Sequence, residues 1–168
     1  MTALLIILAA WFALSLVPVT FVQVMYLESL RLRREELPAL AFFKESLQAR
    51  MGLQSARGAL AFSLIKHTTI VLLGVVVFGL FSTRQAPLWR GLAEASLASW
   101  LVVLAGTYIV PQTLYRKSSG RWLLPLVPLL RVMAAGVRPL IAVLEFFQSV
   151  VELAESAEQT EEAASPAE

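Results

Sequence analysis

The feature that most constrains this chain is the apolar run Ala59–Phe81, ALAFSLIKHTTIVLLGVVVFGLF. Wound as an α-helix it reaches roughly 35 Å, enough to cross a hydrocarbon core of roughly 30 Å with some tilt. The run therefore predicts a membrane span. Inside it stand Lys66, His67, Thr68 and Thr69, a cation, the chain's single histidine and two hydroxyls in succession. A charge at that depth costs roughly 2.5–3.5 kcal/mol on insertion scales, so Lys66 is expected to face protein, water or the near interface rather than lipid.

Composition agrees with a bilayer environment. The chain is 58% hydrophobic and 15% charged, whereas soluble domains carry about a quarter charged residues. Cysteine is absent and all 12 acidic residues are glutamate. Disulfides, thiolate nucleophiles and Cys-ligated metals are thereby excluded, and one histidine cannot build a His-rich zinc site. No nucleophile motif with a supporting base is present, so no enzymatic activity is expected. Nor is a nucleic-acid partner.

Two further stretches resemble the central one. Residues 3–27 are nearly unbroken apolar sequence, too long for a signal peptide's core, and are expected to be a retained first span. Pro18 should kink it, leaving Thr20 and Gln23 near the freed carbonyls. Residues 91–112 form a third span, with Ala95, Ala98, Ser99 and Gly106 offering close helix approach. Pro111 is expected to close it. The central span is set at 59–81.

Basic residues give the orientation. Arg31, Arg33, Arg34, Lys44, Arg50 and Arg57 follow the first span, and Arg116, Lys117 and Arg121 follow the third, whereas the loop between the second and third holds Arg84 and Arg90. The positive-inside rule then places the N-terminus outside and the C-terminus in the cytoplasm, as an integral protein of the plasma (inner) membrane. Between the first two spans, Leu40, Phe43, Leu47 and Met51 recur at helical spacing, predicting an amphipathic helix that starts after Pro38 and lies on the membrane surface or against the protein.

Residues 122–153 could be taken for a fourth span. However, Arg131, Arg138, Glu145 and Glu152 recur at heptad spacing as one charged stripe, and such a helix lies in the interface. Pro125, Pro128 and Pro139 are expected to break it into segments of a bent belt. Residues 154–168 are acidic and small, and are expected to be disordered. The fold class is thus an all-α membrane protein of three transmembrane helices with a cytoplasmic amphipathic juxtamembrane belt, residues 1–153 forming one domain.

This order resembles the CNNM transmembrane domain of the CNNM/CorC magnesium-efflux proteins over roughly residues 5–152. The resemblance is carried by SLRLRREEL at Ser29–Leu37, by SLIKHTTIVLL at Ser63–Leu73, and by Ile109–Leu140, where Pro111, Thr113, Arg121, Pro128, Arg131 and Pro139 match the family pattern. It implies a homodimer and, in transporting members, a magnesium site between the helices. At the positions that would ligate magnesium this chain has Pro18, Thr20 and Phe21, then Lys66, His67 and Val71, then Thr107 and Tyr108. None is a carboxylate, and Lys66 replaces a glycine. No nucleotide-binding CBS pair follows the belt in this sequence. The expected function is that of a divergent, non-transporting or regulatory relative that binds another membrane protein, such as a full-length CNNM/CorC homologue. The alternative is a divalent-cation transporter, with magnesium its ion and no other cofactor, the pathway lined by Thr20, Gln23, Lys66, His67, Thr68, Thr69, Thr107 and Tyr108.

Overall fold

The structure is a computed structural model that describes residues 2–30, 38–82 and 87–164, with side chains as far as Val150 apart from Gln148. The described residues are helical throughout, joined by short turns. Arg31, Arg33 and Arg34 of the leucine–arginine motif, Arg84 of the second loop and the last residues of the acidic tail lie outside the described residues.

Helix α1 (Thr2–Leu30) keeps Pro18 inside it and runs past the expected boundary to include Glu28. Its partner α4 (Ser55–Ser82) is antiparallel to it, since Gly58 lies against Tyr26 at one end and Gly79 lies beside Leu5 at the other. In lipid the apolar effect does not press two such helices together, and close fit must do so. Gly58 supplies that fit. Without a side chain it admits the Tyr26 ring, which stacks on Phe62 at 5.8 Å and meets Phe43 edge-on at 4.8 Å.

The third apolar rod is α5 (Leu88–Leu104), a π-helical turn at Ala105–Ile109, and α6 (Val110–Lys117). Pro111, expected to close the span, does not. It occupies the first turn of α6, where a missing N–H is harmless, so the helix continues to Lys117.

Between α1 and α4, α2 (Pro38–Phe42), a π-helical turn and α3 (Gln48–Met51) form one helical stretch. Its stripe Leu40, Phe43, Leu47 and Met51 is buried, facing the protein. This stretch joins the lower halves of α1 and α4 and the start of the last helix in one core, while Leu16, Leu73, Val77 and Ala95 centre a second core toward the other end.

After α6, Gly120 takes a φ of +75°, with Ala39 O and the Phe42 ring close by. A 3-10 turn at Arg121–Leu126 leads into α7 (Val127–Ala164). The three prolines do not segment this helix: Pro125 sits in the 3-10 turn, Pro128 in the first turn of α7, and Pro139 is carried inside it. The helix also continues into the acidic stretch, whose alanines and glutamates are good helix formers and need no new nucleus. Val127, Leu130, Ala134 and Ile141 are its buried stripe. Farther along, Glu145 accepts two hydrogen bonds from Arg57, at 2.8 and 3.3 Å.

Four helical segments are long and apolar enough to cross a membrane: Thr2–Ser29, Ser55–Ser82, Leu88–Lys117 and Arg121–Phe147. The belt region therefore meets the length and composition of a span as well as the three segments expected to be spans.

Candidate functional site

Thr20, Gln23, Val24, Leu27 and Glu28 recur on α1 at helical spacing, just beyond Pro18. They form one wall of a cavity of about 770 Å³. The opposite wall is the π-helical turn and α6, with Thr107, Tyr108, Pro111, Gln112, Tyr115 and Arg116, and Lys66 enters from α4.

The π-helical turn is what presents that wall. Val110 N–H reaches back to Ala105 O, so the Gly106 carbonyl loses the donor it would have in an α-helix, and the next residue in line, Pro111, has no N–H. An added residue in a turn rotates the following side chains by about 100° relative to those before it. Gly106 lets this irregular turn sit against α1, since a Cβ there would lie 3.3 Å from that of Leu16. Gly106 thus packs within the chain.

Five of the eight expected site residues line this cavity: Thr20, Gln23, Lys66, Thr107 and Tyr108. The other three do not, because consecutive helical residues point about 100° apart. His67 is exposed, its Nδ1 2.7 Å from Ser63 O, and Thr68 is exposed as well. Thr69 is buried and donates to Ile65 O at 2.8 Å. Among the residues matching the family motif, Pro111 lines the cavity, whereas Thr113 is exposed and donates to Ile109 O at 2.7 Å. Arg121 opens the 3-10 turn, and Pro128, Arg131 and Pro139 are exposed on α7.

The antiparallel register of α1 and α4 fixes heights within the cavity. Lys66 stands as far beyond Gly58 as Pro18 stands before Tyr26, so Lys66 is level with Pro18 and Thr20 at the inner end. Glu28 lies about 12 Å farther along α1 than Thr20, at the mouth, where Arg116 also lies. Among the described residues, Lys66 makes no ion pair or hydrogen bond. Thr20 is 4% exposed and its Oγ1, shut from solvent, has no hydrogen-bond partner among the described residues. Gln23 is 9% exposed and likewise makes no hydrogen bond among them. Thr107 donates to Val103 O at 2.6 Å.

No family model, curated protein or solved structure matches the chain. No group of three or more His, Cys, Asp or Glu side chains that could hold a metal ion occurs among the described residues. Magnesium takes oxygen ligands, usually with carboxylates, in a near-octahedral shell. The inner end of the cavity offers neutral hydroxyls, one carboxamide and an ammonium, a set that does not fit that ion.

Sequence reading missed Glu28, Gln112, Tyr115 and Arg116, having assigned Glu28 and Arg116 to loops. The signal was present: Glu28 continues the spacing of Thr20, Gln23, Val24 and Leu27, and Gln112, Tyr115 and Arg116 continue that of Tyr108.

Proposed function

We propose that this chain is a CNNM-like transmembrane module that does not move divalent cations and acts by binding another membrane protein, such as a full-length CNNM/CorC homologue. The observation that carries this reading is Lys66, an ammonium with no ion pair among the described residues, in the cavity where Thr20, Gln23, Thr107 and Tyr108 meet. Two unit charges 4 Å apart interact by about 4 kcal/mol at an effective dielectric of 20, so a divalent ion beside Lys66 meets about 8 kcal/mol of repulsion. Carboxylates would have to offset that, and the inner end has none.

The reading includes three spans with the N-terminus outside, and α7 as a cytoplasmic belt. Support comes from where α7 begins and where it leads. Gly120, just before it, lies beside Ala39, and Glu145 pairs with Arg57, so both ends of this stretch lie at the end of the bundle where α4 begins. None of its buried residues joins the second core. A homodimer is part of the proposal, and Gly74, with no atom within 4 Å of a built Cβ, marks an outward face for it.

A second reading, divalent-cation transport, is favoured by Glu28, a carboxylate at the cavity mouth. Magnesium flux in proteoliposomes, with wild type and Lys66→Gly side by side, separates the two. We expect no flux from either and a lower melting temperature for the variant. Saturable flux by the wild type would refute the non-transporting reading.

A further inference from the structure

We infer that the cavity between α1, α4 and α6 binds a phosphate group, either the headgroup of an anionic phospholipid or a free phosphate, at Lys66, Thr20 and Gln23. The inference deepens the non-transporting reading and rests on it in one respect, that no divalent cation occupies the inner end.

The balance of donors and acceptors carries it. Lys66 brings three N–H donors, no acceptor and a positive charge; Gln23 brings two N–H donors and a carbonyl acceptor, and Thr20 one O–H donor that can also accept. None of these side chains makes a hydrogen bond or ion pair among the described residues, although Thr20 and Gln23 are more than nine-tenths buried. Buried polar groups ordinarily find partners, and an exception calls for an explanation. One such exception, Thr20 Oγ1, sits on the same cavity wall as Gln23 and level with an ammonium. The ammonium, with donors and no acceptor, puts donors in excess and supplies the charge, so the complementary group is an oxyanion. A phosphate has the several acceptor oxygens needed to meet three side chains at once.

The lining of the cavity suits a lipid. Its α1 wall descends from Thr20 through Val24 and Leu27, apolar after the first polar positions, to a mouth where Arg116 adds a second cation. Glu28 lies at that mouth, about 12 Å along the helix from Thr20, and is therefore remote from Lys66. A headgroup drawn in past Arg116 reaches the donors while its acyl chains stay against the apolar outer faces of the bundle.

The test uses the full chain in mild detergent. Native mass spectrometry measures retention of phosphatidic acid against phosphatidylcholine, and thermal shift measures the response to inorganic phosphate. The variants are Lys66→Met and Thr20→Val, each close in size to the original, with Lys44→Met as a control at an exposed site outside the cavity. We expect one phosphatidic acid held per chain in preference to phosphatidylcholine, with retention falling roughly tenfold in Lys66→Met, the effect of losing one charge-assisted hydrogen bond. Retention should fall by a smaller factor in Thr20→Val and stay unchanged in Lys44→Met. A response to inorganic phosphate that Lys66→Met abolishes, without lipid preference, assigns the site to free phosphate. Should Lys66→Met not fold, Thr20→Val alone decides. The inference is overturned if neither phosphate source binds, or if binding persists undiminished in the folded variants. Magnesium flux by the wild type with phosphate binding intact would refute the non-transporting reading alone.

Discussion

Replacing Gly58 by alanine tests the packing on which the whole bundle depends. A Cβ at this position would lie 2.5 and 2.6 Å from Cζ and Cδ1 of Tyr26. Carbon atoms pack best at about 3.5–4.0 Å, so the ring must retreat by about an ångström or more. It has nowhere to go: Tyr26 is fully buried, with Phe43 and Phe62 against it. Overpacking of this kind costs about 1–3 kcal/mol, and the clash places Gly58→Ala in the upper part of that range. Exchange of glycine for alanine inside a helix returns about 1 kcal/mol. A net loss of about 1–2 kcal/mol is expected, measured by reversible unfolding in mixed micelles. Adding Tyr26→Leu should remove the clash, so the double variant should lose less than the sum of the single changes. A Gly58→Ala protein as stable as the wild type, or more so, would mean that α1 and α4 do not meet in this register. Every height assigned within the cavity would then fall with it.

Three other outcomes follow from particular contacts. The Tyr26 hydroxyl is buried with no hydrogen-bond partner among the described residues, so Tyr26→Phe should leave stability unchanged or raise it by about 1 kcal/mol in the same assay. Arg57 and Glu145 are 58% and 37% exposed, and a double-mutant cycle with Glu145→Gln should find a coupling below about 1 kcal/mol that shrinks with salt. Because the chain has no cysteine, single cysteines at Ala86 and Ser118 report topology cleanly: an impermeant thiol reagent applied to intact cells should label the first and spare the second. Labelling of both from outside would end the proposed orientation.

Where periodicity and burial agree, the sequence was legible. Leu40, Phe43, Leu47 and Met51 announce a buried face by spacing alone, and the structure buries all four. The long apolar runs announce helices able to cross a bilayer. What was not legible depends on contacts between distant segments. Lys66, His67, Thr68 and Thr69 look like one polar unit in sequence, but only a neighbour's position decides which face is inward, and α1 with α6 selects Lys66. Pro111 reads as a helix end by local rules, yet the preceding π-helical turn makes it the first turn of a new segment. Pro139 reads as a break and is carried within α7. In each case tertiary packing decided what propensity left open.

The local irregularities of the three antiparallel rods converge. Pro18 removes a hydrogen bond from α1, the π-helical turn and Pro111 remove another from the third rod, and Lys66 places a charge in α4. Each is unfavourable by itself in a membrane-spanning helix, where backbone groups and charges must be satisfied within the protein. Nothing in helix geometry requires such features to lie at one level of the rods. Yet Pro18 and Lys66 stand at one height, and Gly106, in the π-helical turn, packs against Leu16 close to that level. Departures from local rules that gather at a single place motivate the proposal of a functional site there. The cavity they line, with Thr20 and Gln23 buried in its wall, is therefore where the proposed activity of this chain is best tested.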